Sequence, residues 1–511
     1  MGRLVFAVVV SVVFCTSAAW AADIVVDQAA SGAADGNPGT AEKPMRTIAA
    51  AVAKVQAGDT VTVKSGTYPE TVKIAASGTA EKPITLRAAP GEKVVIGGPS
   101  SDRHGLTWAA GVGYLSISGF TVNGGSGIGS MEKGGHHVRV TDCVIIGGVI
   151  RLGDQSDCLV RHCVQTGAKG NGVSLSGCKN CIIEECEVFG NGADGIVVTF
   201  SSDGCKVLRN YVHNHWNDDH PDGIQVYRTV TNFTVEGNLF FNSGQGFMLE
   251  ETDGGVFRNN MVVGTHHSGM ILGHNNSHNW TVEQNTFAYT GFKAFTYSGK
   301  GTVLRNNVIL AGGDNMIVVQ AGKDPLVSDY NLYWKANERS KLQTGEGQDA
   351  HSKFGDPKFR SAPALGRLAA YFIDTWSDKE AAAKSSTGKL SLGGRPLTES
   401  FKVGDMIEVN FDGRLRKVTE VIAETVAFEP PLDKMHQYPW ETVVNWKDRT
   451  AIAWDCRLAD DSPGKKMGDR GQDVGSSVDM PAYMKGDFNG DGKRDLPAAS
   501  AARTSATAPA P

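Results

Sequence analysis

The sequence predicts an all-β protein: a right-handed parallel β-helix of about 10 to 12 coils, with a small β-rich module inserted near its C-terminus. Three observations lead to this prediction. They are a repeat of about 23 residues, an alternation of apolar and polar side chains within each repeat, and an abundance of turn-forming residues. Glycine alone accounts for 62 of the 511 residues. A chain with so much glycine can turn often and at regular intervals.

The repeat is visible in a column of turn residues that are followed by hydrophobic partners in register. From Cys143 to Asn306 there are 163 residues in seven steps, or about 23 residues per step. The column consists of Cys143, Cys163, Cys186, Asn210, Asn238, Asn259, Asn285 and Asn306. A leucine-rich repeat is excluded because the leucines that it needs at fixed offsets are absent, and a propeller is excluded because its blades are longer than this repeat. Three short strands per repeat therefore predict a parallel β-helix, and the handedness of parallel crossovers makes it right-handed.

A second column marks another bend of each repeat and begins a strand. Its members are Asn171, Asp194, Asp222, Gln245, Ser268 and Lys293. Two and four residues later the side chains are apolar, as in Ile224 and Val226, so these positions should face the core. The positions between and after them, such as Gln225 and Tyr227, should face outward. The outward positions together predict a long, shallow groove, a shape suited to a polymer.

The sequence predicts a signal peptide and a cap before the β-helix. Residues 1–22 have a basic start, a short apolar core and a small-residue cleavage site, which predicts a secretory signal peptide. An uncleaved membrane anchor is the alternative for this segment. Residues 23–59 are expected to cap the helix, with an amphipathic helix over residues 47–55. Residues 60–340 should form the β-helix itself.

The segments after the β-helix carry more charge. Residues 361–452 show a fresh set of strand patterns and predict a small β-barrel-like insertion, and residues 453–497 predict a closing segment. Residues 498–511 are of low complexity and predict a disordered tail. The net charge is only −5, which gives no indication of nucleic-acid binding, and no later stretch is long enough to span a membrane.

Eight of the nine cysteines follow the signal segment, and most keep the spacing of the repeat. Cys143, Cys163 and Cys186 are 20 and 23 residues apart. This spacing indicates small apolar residues stacked inside the coils rather than a disulfide framework. An occasional disulfide between vertical neighbours stays open, because neighbouring rungs are about 4.8 Å apart.

Acidic residues on neighbouring coils indicate a cation site. Asp194 and Asp222 occupy the same place of the repeat, so their side chains should lie about 5 Å apart. Two carboxylates at that distance repel each other unless a proton or a cation lies between them, and oxygen ligands favour Ca²⁺. Asp218, Asp219 and Gln225 could complete the shell. The alternative is a solvated aspartate column that caps turns.

Histidines are concentrated in the same part of the chain. Seven of the 13 lie between residues 213 and 278, namely His213, His215, His220, His266, His267, His274 and His278. Imidazole suits transition metals, but the spacing matches no zinc signature, and polar residues at turns are the competing interpretation. His220 stands out because it immediately precedes Pro221 and Asp222 at the predicted edge of the groove.

Residues 35–52 and 57–72, followed by these coils, resemble the secreted β-helix proteins related to polysaccharide lyase family 9, the pectate-lyase-like group. The resemblance implies calcium-binding aspartates at Asp194 and Asp222. The family pattern Asp-Asp-Gly-x-Asp is present only in part, since residues 221–225 keep one of its three aspartates. The family's catalytic lysine lies in a Gly-Phe-Lys-Leu stretch, where this chain has Met248.

The predicted function is calcium-assisted β-elimination on a uronate polysaccharide. Elimination requires a neutralised substrate carboxylate and a base that removes the C-5 proton. His220 is the first choice of base and Lys293 the second, ahead of other basic groups on or near the groove. Those others are Arg258, His266, His267, His274 and Tyr227. The residues expected to bind substrate are Gln225, Tyr227, Arg228, Glu250 and His274.

Other activities fit the same pattern. A glycoside hydrolase could use Asp222 with Glu250 on the next coil, since hydrolases place two carboxylates about 5 to 9 Å apart. Uronan C-5 epimerases resemble this chain in having a histidine beside proline and aspartate. A non-catalytic glycan-binding protein is the third possibility. In each case we expect a secreted monomer, extracellular or periplasmic, whose partner is an acidic polysaccharide.

A second calcium site is predicted near the C-terminus. Side-chain oxygens at Asp487, Asn489, Asp491 and Asp495 occupy positions 1, 3, 5 and 9 of an EF-hand-type loop, with glycine at position 6. The assignment also includes Lys493, between the last two aspartates. Position 12 is alanine, so the bidentate glutamate is absent. A plain asparagine- and aspartate-rich turn is the alternative.

Overall fold

Three long parallel β-sheets wind around one core in a computed structural model of the chain. The sheets contain 13, 12 and 13 strands and form about 11 turns, so the predicted right-handed β-helix is confirmed. The structure describes residues 21–98, 104–215, 221–274, 276–291, 293–311, 315–319, 326–335, 341–342, 344, 346–365, 371–374, 379–391, 400–435 and 440–498. Most of the predicted signal segment and of the predicted tail lies outside these residues.

Each coil contributes one strand to each sheet in turn. Sheet 1 contains Asp23–Val26, Thr60–Val63, Ile84–Ala88, Gly113–Ser118, His136–Thr141, Leu159–Arg161, Ile182–Glu184, Lys206–Leu208, Val230–Glu236, Thr252–Arg258, His278–Glu283, Val303–Arg305 and Val327–Asp329. Sheet 2 contains Gly66–Tyr68, Val94–Gly97, Phe120–Asn123, Val144–Ile146, Val164–Thr166, Glu187–Phe189, Tyr211–His215, Leu239–Ser243, Met261–Val263, Thr286–Thr290, Val308–Ala311, Leu332–Lys335 and Lys353–Phe354.

Sheet 3 carries the predicted groove. It contains Thr71–Ile74, Gly105–Trp108, Gly127–Ser130, Ile150–Gly153, Val173–Ser176, Ile196–Thr199, Asp222–Val226, Gln245–Glu250, Ser268–His274, Lys293–Tyr297, Asn315–Val319 and Lys341–Leu342. At the N-terminal end lies the cap helix Ile48–Val52, which is shorter than predicted. The Thr47 hydroxyl caps this helix by accepting a hydrogen bond from Ala50 N.

A ladder of buried asparagines fixes the bend between sheets 1 and 2. Each asparagine of the ladder accepts, through Oδ1, a hydrogen bond from the backbone N–H of the residue at the same place one coil earlier. For Asn210 that residue is Cys186, and for the others it is the preceding asparagine. The ladder consists of Asn210, Asn238, Asn260, Asn285, Asn307 and Asn331. The predicted column was wrong by one residue at two rungs, because Asn260 and Asn307 are the ladder members. Asn259 and Asn306 precede them and adopt positive φ, at 51° and 58°, which asparagine tolerates well.

Cysteines occupy the ladder place in the earlier coils. Cys163 N donates to Cys186 Sγ at 3.4 Å, which is the contact that asparagine makes on later rungs. All eight described cysteines are buried and free, which agrees with the prediction for those that keep the repeat spacing. Burial raises the pKa of the Cys163 thiol, so this thiol stays protonated and inert.

The outer face of sheet 1 is covered by charged side chains that pair from rung to rung. Glu184 accepts from Arg209 at 2.8 Å, and Glu236 accepts from Arg258 at the same distance. Exposed pairs of this kind contribute little stability, about 0 to 1 kcal/mol each. Their positive and negative charges cancel along the sheet, so this face presents no continuous surface of one sign.

The outer face of sheet 2 is covered by the C-terminal part of the chain. Its outward side chains, among them Leu239, Phe241, Met261 and Val263, pack against Phe411, Trp446, Trp454, Val478, Tyr483 and Phe488 in one buried cluster. Tyr483 also donates its hydroxyl to Gly237 O at 2.9 Å. With sheet 2 covered and sheet 1 paired, the outer face of sheet 3 is the surface of the solenoid left for a ligand among the described residues.

The covering part contains the small antiparallel module that the sequence predicts. Its six strands are Tyr371–Asp374, Lys389–Ser391, Met406–Val409, Arg416–Ile422, Thr425–Glu429 and Trp440–Lys447, with the helix Lys379–Lys384. Phe359–Ser361 pairs antiparallel with Asp455–Leu458, which brings the chain on either side of the module together. The short helix Met480–Tyr483 follows. No described helix is long and apolar enough to cross a membrane.

Candidate functional site

The predicted aspartate pair lies at the bend where sheet 2 leads into sheet 3. Ile196 pairs with Ile224 in the parallel register, which places Asp194 and Asp222 in one column on adjacent rungs. Asp222 N donates to Asp194 Oδ1 at 2.9 Å. The Asp222 residue is only 2% exposed, whereas Asp194 is partly exposed. The pair therefore joins a buried carboxylate to one at the surface.

The glycine after each aspartate is required by the close approach of neighbouring coils. A Cβ on Gly195 would lie 2.7 Å from Gly223 O, and one on Gly223 would lie 2.7 Å from Gly246 O. No side chain fits in these places without movement of the backbone. The glycine of each Asp-Gly dipeptide therefore lets the next coil pack closely beside the aspartate.

The rest of the column continues along the helix axis. Asp222 pairs with Gln245, and Ser268 pairs with Lys293, in the registers of their strands. Lys293 is thus three rungs from Asp222, or about 14 Å at ~4.8 Å per rung. A lysine side chain is shorter than that separation, so the structure places the second-choice base far from the aspartate pair.

The outward positions of sheet 3 follow the predicted alternation. Gln225 is partly exposed and pairs with Val197 on one side and Met248 on the other. Val197 and Met248 are only 2% and 7% exposed, although they belong to the outward column. The face is therefore less open at these rungs than the sequence predicts.

The remaining predicted substrate contacts lie at the far ends of the sheet 3 strands. Tyr227 is partly buried and Arg228 is exposed in the bend after Val226. Glu250 pairs with His274 in the strand register. Glu250 is one rung and five residues from Asp222, about 17 Å away at ~3.3 Å per residue and ~4.8 Å per rung. That separation exceeds the 5 to 9 Å that a carboxylate pair for hydrolysis needs, so the structure disfavours the Asp222–Glu250 pair.

Three of the clustered histidines are buried and packed against other side chains. His266 is 1% exposed, lies 3.1 Å from Asn242 Oδ1 through Nε2, and lies 3.0 Å from Thr442 Oγ1 through Nδ1. His213 stacks on Tyr211 with ring centroids 3.9 Å apart. Burial lowers the pKa of His215 to about 3, so this imidazole is neutral. All three are buried. His213 and His215 lie within the strand Tyr211–His215, so the interpretation as turn residues was wrong for these two, whereas His266 lies at a bend.

Some predicted ligands cannot be placed. Asp218, Asp219 and His220 lie outside the described residues. Within the described part of the chain, no three His, Cys, Asp or Glu side chains are arranged to hold one metal ion. Asp194 and Asp222 supply two oxygen donors of the kind that Ca²⁺ takes. A complete shell would need further donors, for which Asp218 and Asp219 are close in the chain.

The C-terminal loop is closed by its own side chains. Asp487 accepts from Gly490 N at 2.7 Å and from Gly492 N at 2.9 Å, and Asp495 accepts from Phe488 N at 2.7 Å. Arg494 anchors the loop on sheet 2 through a 3.0 Å contact with Glu187, which is 2% exposed. Two of the predicted ligands, Asp487 and Asp495, thus close the loop by accepting hydrogen bonds from its backbone.

Further members of that predicted ligand set form the outer part of the loop. Asn489 Oδ1 accepts from Asp491 N, and Asp491 Oδ1 accepts from Lys493 N, both at 2.8 Å. These contacts are the turns that the alternative interpretation expects. The loop therefore holds its shape through hydrogen bonds, and calcium binding there stays a prediction.

One exposed side chain near the groove was not predicted as part of a site. Phe200 follows the strand Ile196–Thr199 and is 51% exposed, with Arg228 Cζ 4.5 Å from its ring centroid. The available signal was a large aromatic residue directly after a strand, at a bend where the chain should meet solvent. Its proximity to Arg228 depends on the stacking of two coils.

A family model described as "Pel9A-like, right handed beta helix region" matches residues 28–300. The chain belongs to this family. The suspected resemblance to family 9 pectate lyases is thereby confirmed at the level of the family and its fold. The match covers the cap and most of the Pel9A-like solenoid, including Asp194, Asp222 and Lys293.

Relatives of the Pel9A-like chain match shorter segments. The uncharacterized protein YwoF of Bacillus subtilis is 53% identical over 66 residues, which cover 13% of this chain and 14% of YwoF. Pectate lyase PEL9 of Emericella nidulans is 42% identical over 80 residues, covering 15% of this chain and 19% of that enzyme. The matched segment thus spans less than a fifth of either relative.

Solved structures with a similar course of the chain include several carbohydrate-active proteins. Pectate lyase Pel9A has 17% identity and a TM-score of 0.38, covering 66% of this chain and 83% of that one. A rhamnogalacturonan lyase has 18% identity and a TM-score of 0.41, covering 66% and 90%. A complex of XylC with xylose has 11% identity and a TM-score of 0.43, covering 83% and 100%.

Proposed function

We propose that this Pel9A-like protein is exported and cleaves an acidic, uronate-containing polysaccharide by calcium-assisted β-elimination. The observation that carries the proposal is the pair of carboxylates, Asp194 and Asp222, on adjacent rungs at the edge of the outer face of sheet 3. The outer face of sheet 1 carries exposed ion pairs of both signs, and the outer face of sheet 2 is covered by the C-terminal part. A long polymer therefore has one face of the solenoid on which to lie.

The aspartate pair would neutralise the substrate through a bound cation. The residues that would hold Ca²⁺ are Asp194 and Asp222, completed by Asp218, Asp219 and Gln225. Two partly desolvated carboxylates in one column repel each other, so a divalent cation between them relieves an electrostatic cost. When bound, Ca²⁺ withdraws electron density from a uronate carboxylate and acidifies its C-5 proton.

His220 is the base that we assign to the removal of the C-5 proton. It lies two residues before Asp222 in the chain, whereas Lys293 lies three rungs away, about 14 Å along the axis. The C-5 proton is adjacent to the carboxylate carbon, so the base must act close to the carboxylate that the aspartates neutralise. Lys293 is better placed to contact another unit of the polymer.

The test replaces both aspartates. Asp194→Asn with Asp222→Asn keeps an acceptor for the Asp222 N–H and keeps side-chain size, but removes both charges. We expect at least about 100-fold slower formation of unsaturated sugar ends on uronate polymers, and loss of one bound Ca²⁺ in calorimetric titration. The harsher Asp194→Ala with Asp222→Ala should behave alike if it folds.

Two controls identify which calcium is involved. Asp253→Ala removes an exposed carboxylate on sheet 1 and should change neither calcium binding nor turnover. Asp487→Ala should remove the second predicted Ca²⁺, in the C-terminal loop, without affecting turnover. Unchanged calcium affinity and unchanged turnover in the Asp194/Asp222 variants would refute the assignment of the site.

A non-catalytic glycan-binding protein is the second candidate, because Met248 stands at the place of the family's lysine. The Met248 side chain is 7% exposed and its thioether cannot accept a proton at neutral pH. Product analysis separates the possibilities. Unsaturated ends indicate a lyase, new reducing ends without unsaturation a hydrolase, inverted C-5 without cleavage an epimerase, and binding with no product a glycan-binding protein.

A further inference from the structure

An aromatic ring and a guanidinium stand side by side at the edge of sheet 3 opposite the aspartate pair. Phe200 and Arg228 occupy the bends that lead from sheet 3 back to sheet 1, on neighbouring rungs, since Ser201 N donates to Arg228 O at 2.9 Å. Phe200 is 51% exposed and Arg228 is also exposed. The phenyl ring at this edge of the groove is therefore accessible to a ligand.

The surroundings of Phe200 leave part of its ring accessible. Arg228 Cζ lies 4.5 Å from the Phe200 centroid and 5.4 Å from the Tyr227 centroid, so the guanidinium is held by two rings. On the preceding rung, Gly177 N donates to Thr199 O, which makes Gly177 the neighbour of Phe200 in the column. Because glycine has no side chain, that rung covers the ring with backbone alone.

Arg228 differs in its partners from three arginines that lie on or beside sheet 1. These are Arg161, Arg209 and Arg258, and each contacts a glutamate at 2.8 Å or less. Within the described part of the chain, the Arg228 guanidinium forms no ion pair and lies over the two rings. A guanidinium stacked on aromatic faces keeps its N–H edge for an anion, and a carboxylate matches that edge in a bidentate manner.

We propose that Phe200, Tyr227 and Arg228 form a binding subsite for a uronate unit of the polysaccharide. Phe200 stacks on the apolar face of the sugar ring, and Arg228 holds the carboxylate of the same unit. The inference rests on the proposed function, because it requires the same acidic polymer. Six residues separate Asp222 from Arg228, about 20 Å at ~3.3 Å per residue, so the subsite holds a unit remote from the reacting one.

Stacking on Phe200 and the ion pair with Arg228 depend on different groups of the sugar. Stacking on Phe200 depends on the C–H face of the sugar, which is present whether or not the carboxyl is charged. The contact with Arg228 requires the charged carboxylate. An acidic probe and its uncharged methyl ester, which keeps the C–H face of the sugar, therefore distinguish the ring contact from the guanidinium contact.

The experiment measures binding by calorimetry in EDTA, with a galacturonate hexamer and its fully methyl-esterified form as probes. We expect Arg228→Ala to weaken binding of the acidic hexamer at least about 10-fold, and to leave binding of the ester unchanged. Phe200→Ala should weaken binding of both probes. Two matched controls, Arg139→Ala on sheet 1 and Phe354→Ala at the C-terminal end of the solenoid, should change neither.

Several outcomes overturn the subsite. They are a wild-type protein that binds neither probe, an Arg228→Ala variant that binds the acidic hexamer normally, and equal losses for both probes in that variant. Turnover with calcium is measured separately. Binding that depends on Arg228 without any cleavage refutes elimination and leaves the subsite standing. Cleavage by a wild type whose variants bind normally refutes the subsite alone.

Discussion

Glu408 is a buried carboxyl in the C-terminal module that lies against two indole rings. It is 1% exposed and accepts hydrogen bonds from Trp446 Nε1 at 2.9 Å and from Trp454 Nε1 at 3.2 Å. Burial raises the pKa of Glu408 to about 7, and the two indole N–H groups only partly oppose this effect. We therefore expect this single residue to make the stability of the module depend on pH near neutrality.

The sign of the pH dependence follows from proton linkage. An ordinary glutamate has a pKa of 4.5, whereas the pKa of Glu408 in the folded protein is about 7. The folded state therefore binds the proton more tightly than the unfolded state does. The free energy of unfolding should therefore fall by about 3 kcal/mol as the pH rises from about 4.5 to about 7, and level off above. Chemical denaturation at several pH values measures this.

The matched variants isolate Glu408. Glu408→Gln cannot titrate and should lose the dependence in this window, whereas Glu420→Gln, an exposed position of the same module, should keep it. A wild-type stability that rises between these pH values would contradict the assignment.

At the level of elements, the asparagine ladder fixes the register of the coils. Asn260 is fully buried, and its Oδ1 accepts from Asn238 N at 3.0 Å and from Asn238 Nδ2 at 2.9 Å. Its own Nδ2 donates to Val235 O and Asn285 Oδ1. Each rung therefore satisfies polar groups of its neighbours that water cannot reach.

Replacing one asparagine of the ladder should lower the free energy of unfolding substantially. Asn260→Ala leaves the Asn238 donors without this acceptor, and we expect a loss of about 3 to 5 kcal/mol in unfolding free energy. Asn260→Cys should lose less, because Cys186 accepts from Cys163 N at the same place of an earlier coil. Asn180→Ala, at an exposed turn, should cost about 1 kcal/mol or less. Equal losses for Ala and Cys would show that cysteine cannot replace the ladder contact.

At the scale of the whole molecule, the C-terminal module is attached through sheet 2. Phe411 is 7% exposed, with its ring centroid 5.3 Å from that of Phe241 and 5.5 Å from that of Trp454. Asn242 Nδ2 donates to Asn410 O nearby, and His266 contacts Thr442. Aromatic packing and buried hydrogen bonds together couple the module to the solenoid.

Phe411→Ala should weaken this attachment. The cavity left between Phe241 and Trp454 should cost about 3 to 5 kcal/mol, and limited proteolysis should cut the module before the solenoid. Ile422→Ala, at a 57% exposed position of the module, is the control and should leave the protease pattern unchanged. A Phe411 variant as resistant as the wild type would mean that other contacts carry the docking.

Much of the solenoid could be predicted because its signals are local and repeated. Strand, bend and inward-facing positions recur about every 23 residues, so an error at one coil is corrected by the others. The one-residue error at Asn259 and Asn306 arose where two asparagines adjoin, since both fit a turn and only the backbone register distinguishes them. The Asp194–Asp222 column was predictable for the same reason as the fold.

The sequence by itself thus determined the β-helix, its stacked cysteines and asparagines, and the column that carries the aspartates. Only the tertiary structure decided that the C-terminal part covers sheet 2, that Lys293 and Glu250 lie far from Asp222, and that Phe200 meets Arg228. The physical reason is the range of the interactions. Parallel rungs repeat at a fixed spacing, so periodicity reports them. The docking of a distant module, and distances across and along a sheet, depend on non-local packing that no repeat in the sequence encodes.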